Sequence, residues 1–183
     1  MGVVEQLPAP PRPYTQPRPI ETGDSVQDFG CGKRELDDWL KQRALKNQGK
    51  ASRTYVVCSN ASEDGGRVVG FYSLSAGAVR REDAPGWARK NMPNPLPIFV
   101  LGRLAIDAQH QHKGLGMALL REALQRTLEA SRRVAGRALV VHAIDDDAVS
   151  FYVAFGFQAF PPNSRTLFLP IETIVASLEG GKT

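Results

Sequence analysis

The densest group of residues suited to chemistry is Gln111-His112-Lys113-Gly114-Leu115-Gly116. It follows Leu104-Ala105-Ile106-Asp107 and opens a long apolar-periodic stretch. Glycines let a backbone approach an anion closely. A helix start aims unpaired N–H groups and the positive end of its dipole at that anion. Lys113 adds a point charge. The run is a candidate phosphate cradle, although the same residues would also make a tight strand-to-helix turn with no ligand. It is neither a P-loop nor a dinucleotide fingerprint, because Lys113 precedes the glycine pair and a third glycine is missing.

Other reactive side chains are sparse. Tyr152 stands between Phe151 and Phe155 and can serve as a proton donor or pack as an aromatic. His110 stands next to the loop and His112 within it, and both suit phosphate or solvent. His142 lies near a strand end, as a core or hydrogen-bonded histidine or as a base. His142 and Asp145 are parts of a nucleophile–base arrangement, but no nucleophile elbow accompanies them. The two cysteines, Cys31 and Cys58, occur in no metal-ligand spacing, so no metal site is expected. They read as free thiols of a reducing cytoplasm.

These residues need a scaffold. The helical period of Leu115, Ala118, Leu119, Ala123, Leu124 and Leu128 predicts a helix over 114–130. Leu36, Trp39, Leu40, Ala44 and Leu45 predict another over 33–48, stopped by Gly49. Strands are expected over 54–58 and 67–75 as a hairpin, then over 98–107, 138–143, 157–160 and 166–169. Short helices are expected at 87–90, 146–155 and 170–178. Pro93, Pro95 and Pro97 argue against regular structure before Ile98. Strands on either side of the best helix imply a right-handed β-α-β crossover. The fold class is α+β, a central mixed sheet flanked by helices in one domain.

The 183 residues, 42% hydrophobic and 23% charged, describe a globular chain with one core. No signal-peptide pattern or membrane span is present. Residues 1–20 are proline-rich and read as a flexible extended arm, 21–179 as the domain and 180–183 as a tail. The net charge of +4 equals the excess of seven basic over three acidic residues between Gly32 and Arg53. Such a face attracts phosphates or is simply a solvated helix face.

Gln111, Gly114 and Gly116 also match the hallmark Q/R-x-x-G-x-G/A of the GNAT N-acetyltransferases. A second signature follows in Ala148-x-x-Phe151-Tyr152-x-x-Phe155-Gly156-Phe157. The chain resembles that family from about Gly23 to Leu169. The resemblance implies a GNAT fold and acetyl-CoA as co-substrate. Leu104, Ala105 and Ile106 would hold the pantetheine and thioester. Gln111, His112, Lys113, Gly114, Leu115, Gly116 and Met117 would hold the pyrophosphate. Where the family often has Asn, three residues before the signature alanine, this chain has Asp145, which cannot donate that amide's hydrogen bond.

The resemblance also implies direct attack of an amine on the thioester, with Tyr152 as the acid near the CoA sulfur. A free tyrosine, with pKa about 10, passes its proton to a thiolate of about 8.5 uphill by roughly 2 kcal/mol. Tyr152 would therefore stabilise the thiolate by a hydrogen bond first. No base is evident. An α-amine with pKa of about 7.7–8.0 is already partly neutral near neutrality.

Further runs are similar to GNAT toxins of bacterial toxin–antitoxin pairs: Phe29 to Gly32, Leu36 to Leu40, Arg53 to Val56, Gly70 to Leu74 and Pro97 to Asp107. Those toxins acetylate the amino acid on charged tRNA and block translation. The resemblance implies a cytoplasmic homodimer, neutralised by a ribbon-helix-helix antitoxin. Lys33, Lys41, Lys46, Arg53, Arg80, Arg81, Arg89 and Lys90 are the candidate tRNA contacts. Two other readings stand beside it: a GNAT enzyme acting on a small amine or a protein N-terminus, and a non-catalytic CoA-binding regulatory partner.

Overall fold

The β-branched run Arg53–Cys58 and the longer strand Val68–Val79 pair antiparallel, with Tyr55 opposite Tyr72 and Val56 opposite Phe71. In this computed structural model, which describes residues 13–179, they are β2 and β3. β1 is Arg18–Pro19, β4 Leu96–Ile106, β5 Ala138–His142, β6 Gln158–Ala159 and β7 Thr166–Pro170. The helices are α1 (Arg34–Trp39), α2 (Leu45–Asn47), α3 (Gly86–Arg89), α4 (Leu115–Ser131), α5 (Asp146–Ala154) and α6 (Ile171–Glu179). The strands form one mixed sheet in the order β1-β2-β3-β4-β5-β7-β6. β4 and β5 are parallel, with Val100 opposite Val140, so the chain crosses between them through α4 as the β-α-β reading predicts. The fold is α+β, as expected.

The chain divides into two compact units. One is the stretch ending at Ser75 together with Arg103–Ala123; the other is Ala76–Gly102 with the stretch from Leu124 onward. No linker separates them, since β3, β4 and α4 each pass from one into the other.

In the first unit, Phe29, Trp39, Leu40, Ala44, Val56, Phe71 and Ala105 make one buried cluster. The helix expected over 33–48 is present but not uniform: a π-helical turn, Leu40–Ala44, joins α1 to α2. The wider turn keeps Trp39, Leu40 and Ala44 all buried, which a regular period would not require. Gly49, at φ +75°, lies just beyond the helical stretch, in a conformation suited to glycine. Leu115, Leu119 and Leu120 on α4 are fully buried. Each contributes about 1.5–3 kcal/mol by leaving water.

The proline-rich arm lies partly outside the described residues. From Pro13 onward it is extended, as expected, but docked rather than free. Arg18 pairs with Val56, Pro19 with Tyr55, Tyr14 bridges Ser59, and Tyr14 and Ile20 are buried. Proline suits this edge position because a sheet edge does not need every N–H.

In the second unit, Ala84, Ala88, Leu96, Ile98, Ala138, Val140 and Phe168 form the core. β4 begins at Leu96, so Pro97 is inside a strand where irregular chain was expected. Pro97 lacks a donor, but its carbonyl still accepts from the Arg137 N–H at 2.8 Å.

Candidate active site

The glycine loop is built as the sequence suggests, and its strain is local. His112 (φ +60°) and Gly114 (φ +79°) occupy the left-handed region, turning the chain sharply into α4. Gly114 accepts the Ala118 N–H at 3.1 Å, starting the helix. The N–H groups of Leu115, Gly116 and Met117 then have no acceptor within the helix.

Gly116 is the informative residue. A Cβ added there would meet only Ile106 Cγ1 at 3.8 Å, an ordinary contact. The protein's own packing leaves space at this position, and a backbone with little or no side chain lets an anion approach closely. The residues present therefore fit a pyrophosphate held by main-chain N–H groups, with exposed Lys113 beside it.

Gln111 does something else. Its side-chain amide donates to the carbonyls of Ile106 (2.9 Å) and Cys31 (3.0 Å). Both amide protons are thereby committed to protein carbonyls. The side chain fastens the loop to the end of β4 and to the Gly30–Gly32 segment.

Asp107 reinforces the same junction. It is 3% exposed and accepts from Gly30 N (3.1 Å), Gln109 N (3.0 Å) and Arg67 Nη2 (3.4 Å). His110 is buried, with Nδ1 2.8 Å from the Tyr14 hydroxyl and Nε2 4.0 Å from Asp64. Burial, then Lys113, lowers its pKa against the opposing pull of Asp107 and Asp64. His110 is thus a structural residue, and His112 is exposed.

Tyr152 lies in α5, 5% exposed, edge-on to Phe151 (5.2 Å) and Phe157 (5.3 Å). Its hydroxyl makes no hydrogen bond among the described residues. Burial raises its pKa well above the ordinary tyrosine value, so it stays protonated at any physiological pH. Asp145 caps α5 by accepting the Ala148 N–H at 2.8 Å, a task a carboxylate performs well. His142 is exposed and 3.1 Å from Thr166 Oγ1.

Both cysteines are free and buried. Burial, helped by Asp37, pushes the Cys31 thiol up to about 12, which removes it as a nucleophile at neutral pH. Among the described residues no cluster of three or more metal-ligating side chains occurs, and no helix is long and apolar enough to cross a membrane.

The candidate tRNA contacts divide by setting. Lys33, Lys46 and Arg53 are exposed and Lys41 half-buried; Lys90 is exposed and Arg89 half-buried. Arg80 pairs with Asp83 at 2.8 Å, and Arg81 donates to the Met92 carbonyl, so both are engaged locally. One cation was passed over: Arg103, whose guanidinium lies 4.2 Å from the centroid of the Trp39 ring. The signal for it was present, since Arg103 is the only charge within the apolar strand Leu96–Ile106.

The GNAT acetyltransferase domain family matches residues 50–159. The chain is 45% identical over 157 residues to a Mycobacterium tuberculosis (strain ATCC 25618 / H37Rv) protein named tRNA-acetylating toxin, covering 85% of this chain and 92% of that one. It superposes on AtaT complexed with acetyl-methionyl-tRNAfMet with a TM-score of 0.77 at 29% identity, covering 93% and 99% of the two chains. It also superposes on a tyrosine-to-phenylalanine mutant of AtaT bound to acetyl-CoA and the C-terminus of the antitoxin AtaR. There the TM-score is 0.74 at 26% identity, covering 91% and 98%. A strand leading through a left-handed glycine into a helix start, on a fold shared with these proteins, agrees with what the identity says: the chain belongs to the GNAT acetyltransferases, in the family of tRNA-acetylating toxins.

Proposed function

We infer that the protein is a toxin acetyltransferase that moves acetyl from acetyl-CoA to the α-amine of an aminoacyl-tRNA, blocking translation. The observation that carries this is 45% identity, across most of both chains, to a tRNA-acetylating toxin. The bare helix start at Gly114–Gly116 supports the donor half.

Acetyl-CoA supplies an activated thioester. The amine nitrogen bonds to the carbonyl carbon, the C–S bond breaks, the nitrogen loses a proton and the sulfur takes one up. Leu104, Ala105 and Ile106 offer backbone groups to the pantetheine and thioester, and the main chain of 111–117, not the Gln111 amide, holds the pyrophosphate. Tyr152, kept neutral by burial, donates a hydrogen bond to the departing sulfur. Its raised pKa makes full proton transfer still less favourable than for a free tyrosine, so hydrogen bonding to the thiolate dominates. No protein base is required for an α-amine that is already partly neutral near pH 7.

The partners follow from the same reading. Charged tRNA is the acceptor, with Lys33, Lys41, Lys46, Arg53, Arg89 and Lys90 as the candidate phosphate contacts. The AtaT–AtaR complex supports a protein antitoxin; a ribbon-helix-helix protein and a toxin homodimer in the cytoplasm complete the proposal. The test is transfer of label from acetyl-CoA to a full set of charged tRNAs by the purified protein. Label on the amino acid is expected. Its absence across the set, or its appearance on a small amine instead, would overturn the reading.

A further inference from the structure

Arg103 stands immediately before Leu104–Ile106 on β4. Successive strand side chains alternate between faces, so it shares a face with Ala105, which packs in the cluster of Trp39 and Phe71. Trp39 in turn stacks on Phe71 at 5.9 Å with an interplanar angle of 13°. The guanidinium therefore rests on a buried aromatic pair, at the point where the helix passes into its π turn.

This cation is half-buried yet makes no hydrogen bond or ion pair among the described residues. Lost hydration disfavours its charge, and only a through-space pull from Glu35 offsets that. By contrast Arg18 closes on Asp24, Arg67 on Asp107 and Arg137 on Glu172. The ring contact satisfies no N–H donor, so the planar fork of the guanidinium can still meet two oxygens of one phosphate.

The acetyl donor's pyrophosphate is not that phosphate. Ile106 has the opposite parity to Arg103. Its side chain faces Gly116 and approaches the same Gly70 position as Leu119, so the start of α4 and the Arg103 guanidinium lie on opposite faces of β4. A phosphate at Arg103 would therefore meet the strand on the face away from the helix start, leaving the acetyl donor's side clear.

We propose that Arg103, stacked on Trp39, binds a phosphodiester at the 3′ end of the acceptor tRNA and so places the aminoacyl amine beside Leu104–Ile106. The inference rests on the proposed function. Leu104–Ile106 extends roughly 10 Å beyond Arg103 at about 3.4 Å per residue. That is comparable to the reach from the 5′-phosphate of a terminal nucleotide to the amine of an amino acid esterified on its ribose.

Steady-state kinetics of Arg103→Gln and Arg103→Lys test this, varying aminoacyl-tRNA at saturating acetyl-CoA and the reverse, over a salt series. Arg103→Gln is expected to raise KM for aminoacyl-tRNA by about tenfold or more. It should also reduce the slope of log KM against log salt by about 0.7, one single-strand phosphate contact. KM for acetyl-CoA should not move. Arg103→Lys keeps the charge and the salt slope but loses the fork, and should raise KM for aminoacyl-tRNA several-fold. This second variant decides the matter if thermal melting shows Arg103→Gln unfolded. An unchanged KM for aminoacyl-tRNA in folded Arg103→Lys, or a rise in KM for acetyl-CoA instead, overturns the proposal. A wild-type protein that labels no charged tRNA overturns the functional reading and this inference with it; a wild-type protein that labels tRNA while the variants match it overturns only the inference.

Discussion

The side-chain amide of Gln111 binds the carbonyl of Cys31, 80 residues earlier in the chain, and the carbonyl of Ile106 at the same time. One residue thus sets the spacing between the end of β4, the segment before α1 and the loop that begins α4. Replacing Gln111 with Ala leaves two carbonyls without their donor. The expected loss is about 1–3 kcal/mol of stability, with a higher KM for acetyl-CoA. Gln111→Glu should lose more, because a carboxylate would face two acceptors. Urea denaturation with matched kinetics checks both.

The two loop glycines should separate stability from binding. Gly114→Ala forces a Cβ into the left-handed region and should cost about 1–2 kcal/mol. Gly116→Ala meets no protein atom closer than ordinary contact and should gain up to about 1 kcal/mol in helix propensity. Because the hallmark admits alanine here, acetyl-CoA binding should survive Gly116→Ala, whereas Gly116→Glu, which adds bulk and a negative charge at the helix start, should weaken it. Melting temperature and acetyl-CoA titration on the three proteins check this. Equal acetyl-CoA affinity in wild type and Gly116→Glu would remove the cradle assignment.

Tyr152→Phe deletes a hydroxyl that has no hydrogen bond among the described residues. Stability near neutral pH should hardly change, while kcat should fall by about 100-fold if the hydroxyl stabilises the departing sulfur. The pH dependence has a definite sign. Because burial raises the folded-state pKa, the folded protein keeps a proton that the unfolded chain releases above about pH 10. Wild-type stability should drop as pH rises through that window, and Tyr152→Phe should lose that part of the drop. Melting curves across the alkaline range decide it.

His110 predicts the opposite limb. With the proton on Nε2, the ring accepts the Tyr14 hydroxyl at Nδ1 and turns its N–H toward Asp64. Burial lowers its folded-state pKa, so the unfolded chain takes up a proton first as pH falls below about 6.5. Stability should be full above that value and decline below it. His110→Gln should flatten this acid limb while costing stability at neutral pH, because it loses the Tyr14 contact. Retention of the full acid slope in His110→Gln would assign the titration to another group.

The features that repeat along the chain were readable from it directly. The apolar period of α4, the β-branched hairpin strands and the spacing of Gln111, Gly114 and Gly116 each reflect a local rule of backbone geometry. So does the order of strand, glycine loop and helix, from which the β-α-β crossover follows. The role proposed for Tyr152 comes only from its signature, since an isolated tyrosine among phenylalanines is equally a core residue. Tertiary structure decided what depends on residues far apart. The Gln111 amide looked like a ligand group until Cys31 and Ile106 were found to consume both its protons. The proline-rich arm looked free until the edge of β2 gave its described part something to pair with. A regular helix became a π turn because the packing of Trp39, Leu40 and Ala44 outweighed the local period. Arg103 drew no notice in an apolar strand because its partner is an aromatic face, supplied by a residue 64 positions away that only folding brings within 4.2 Å.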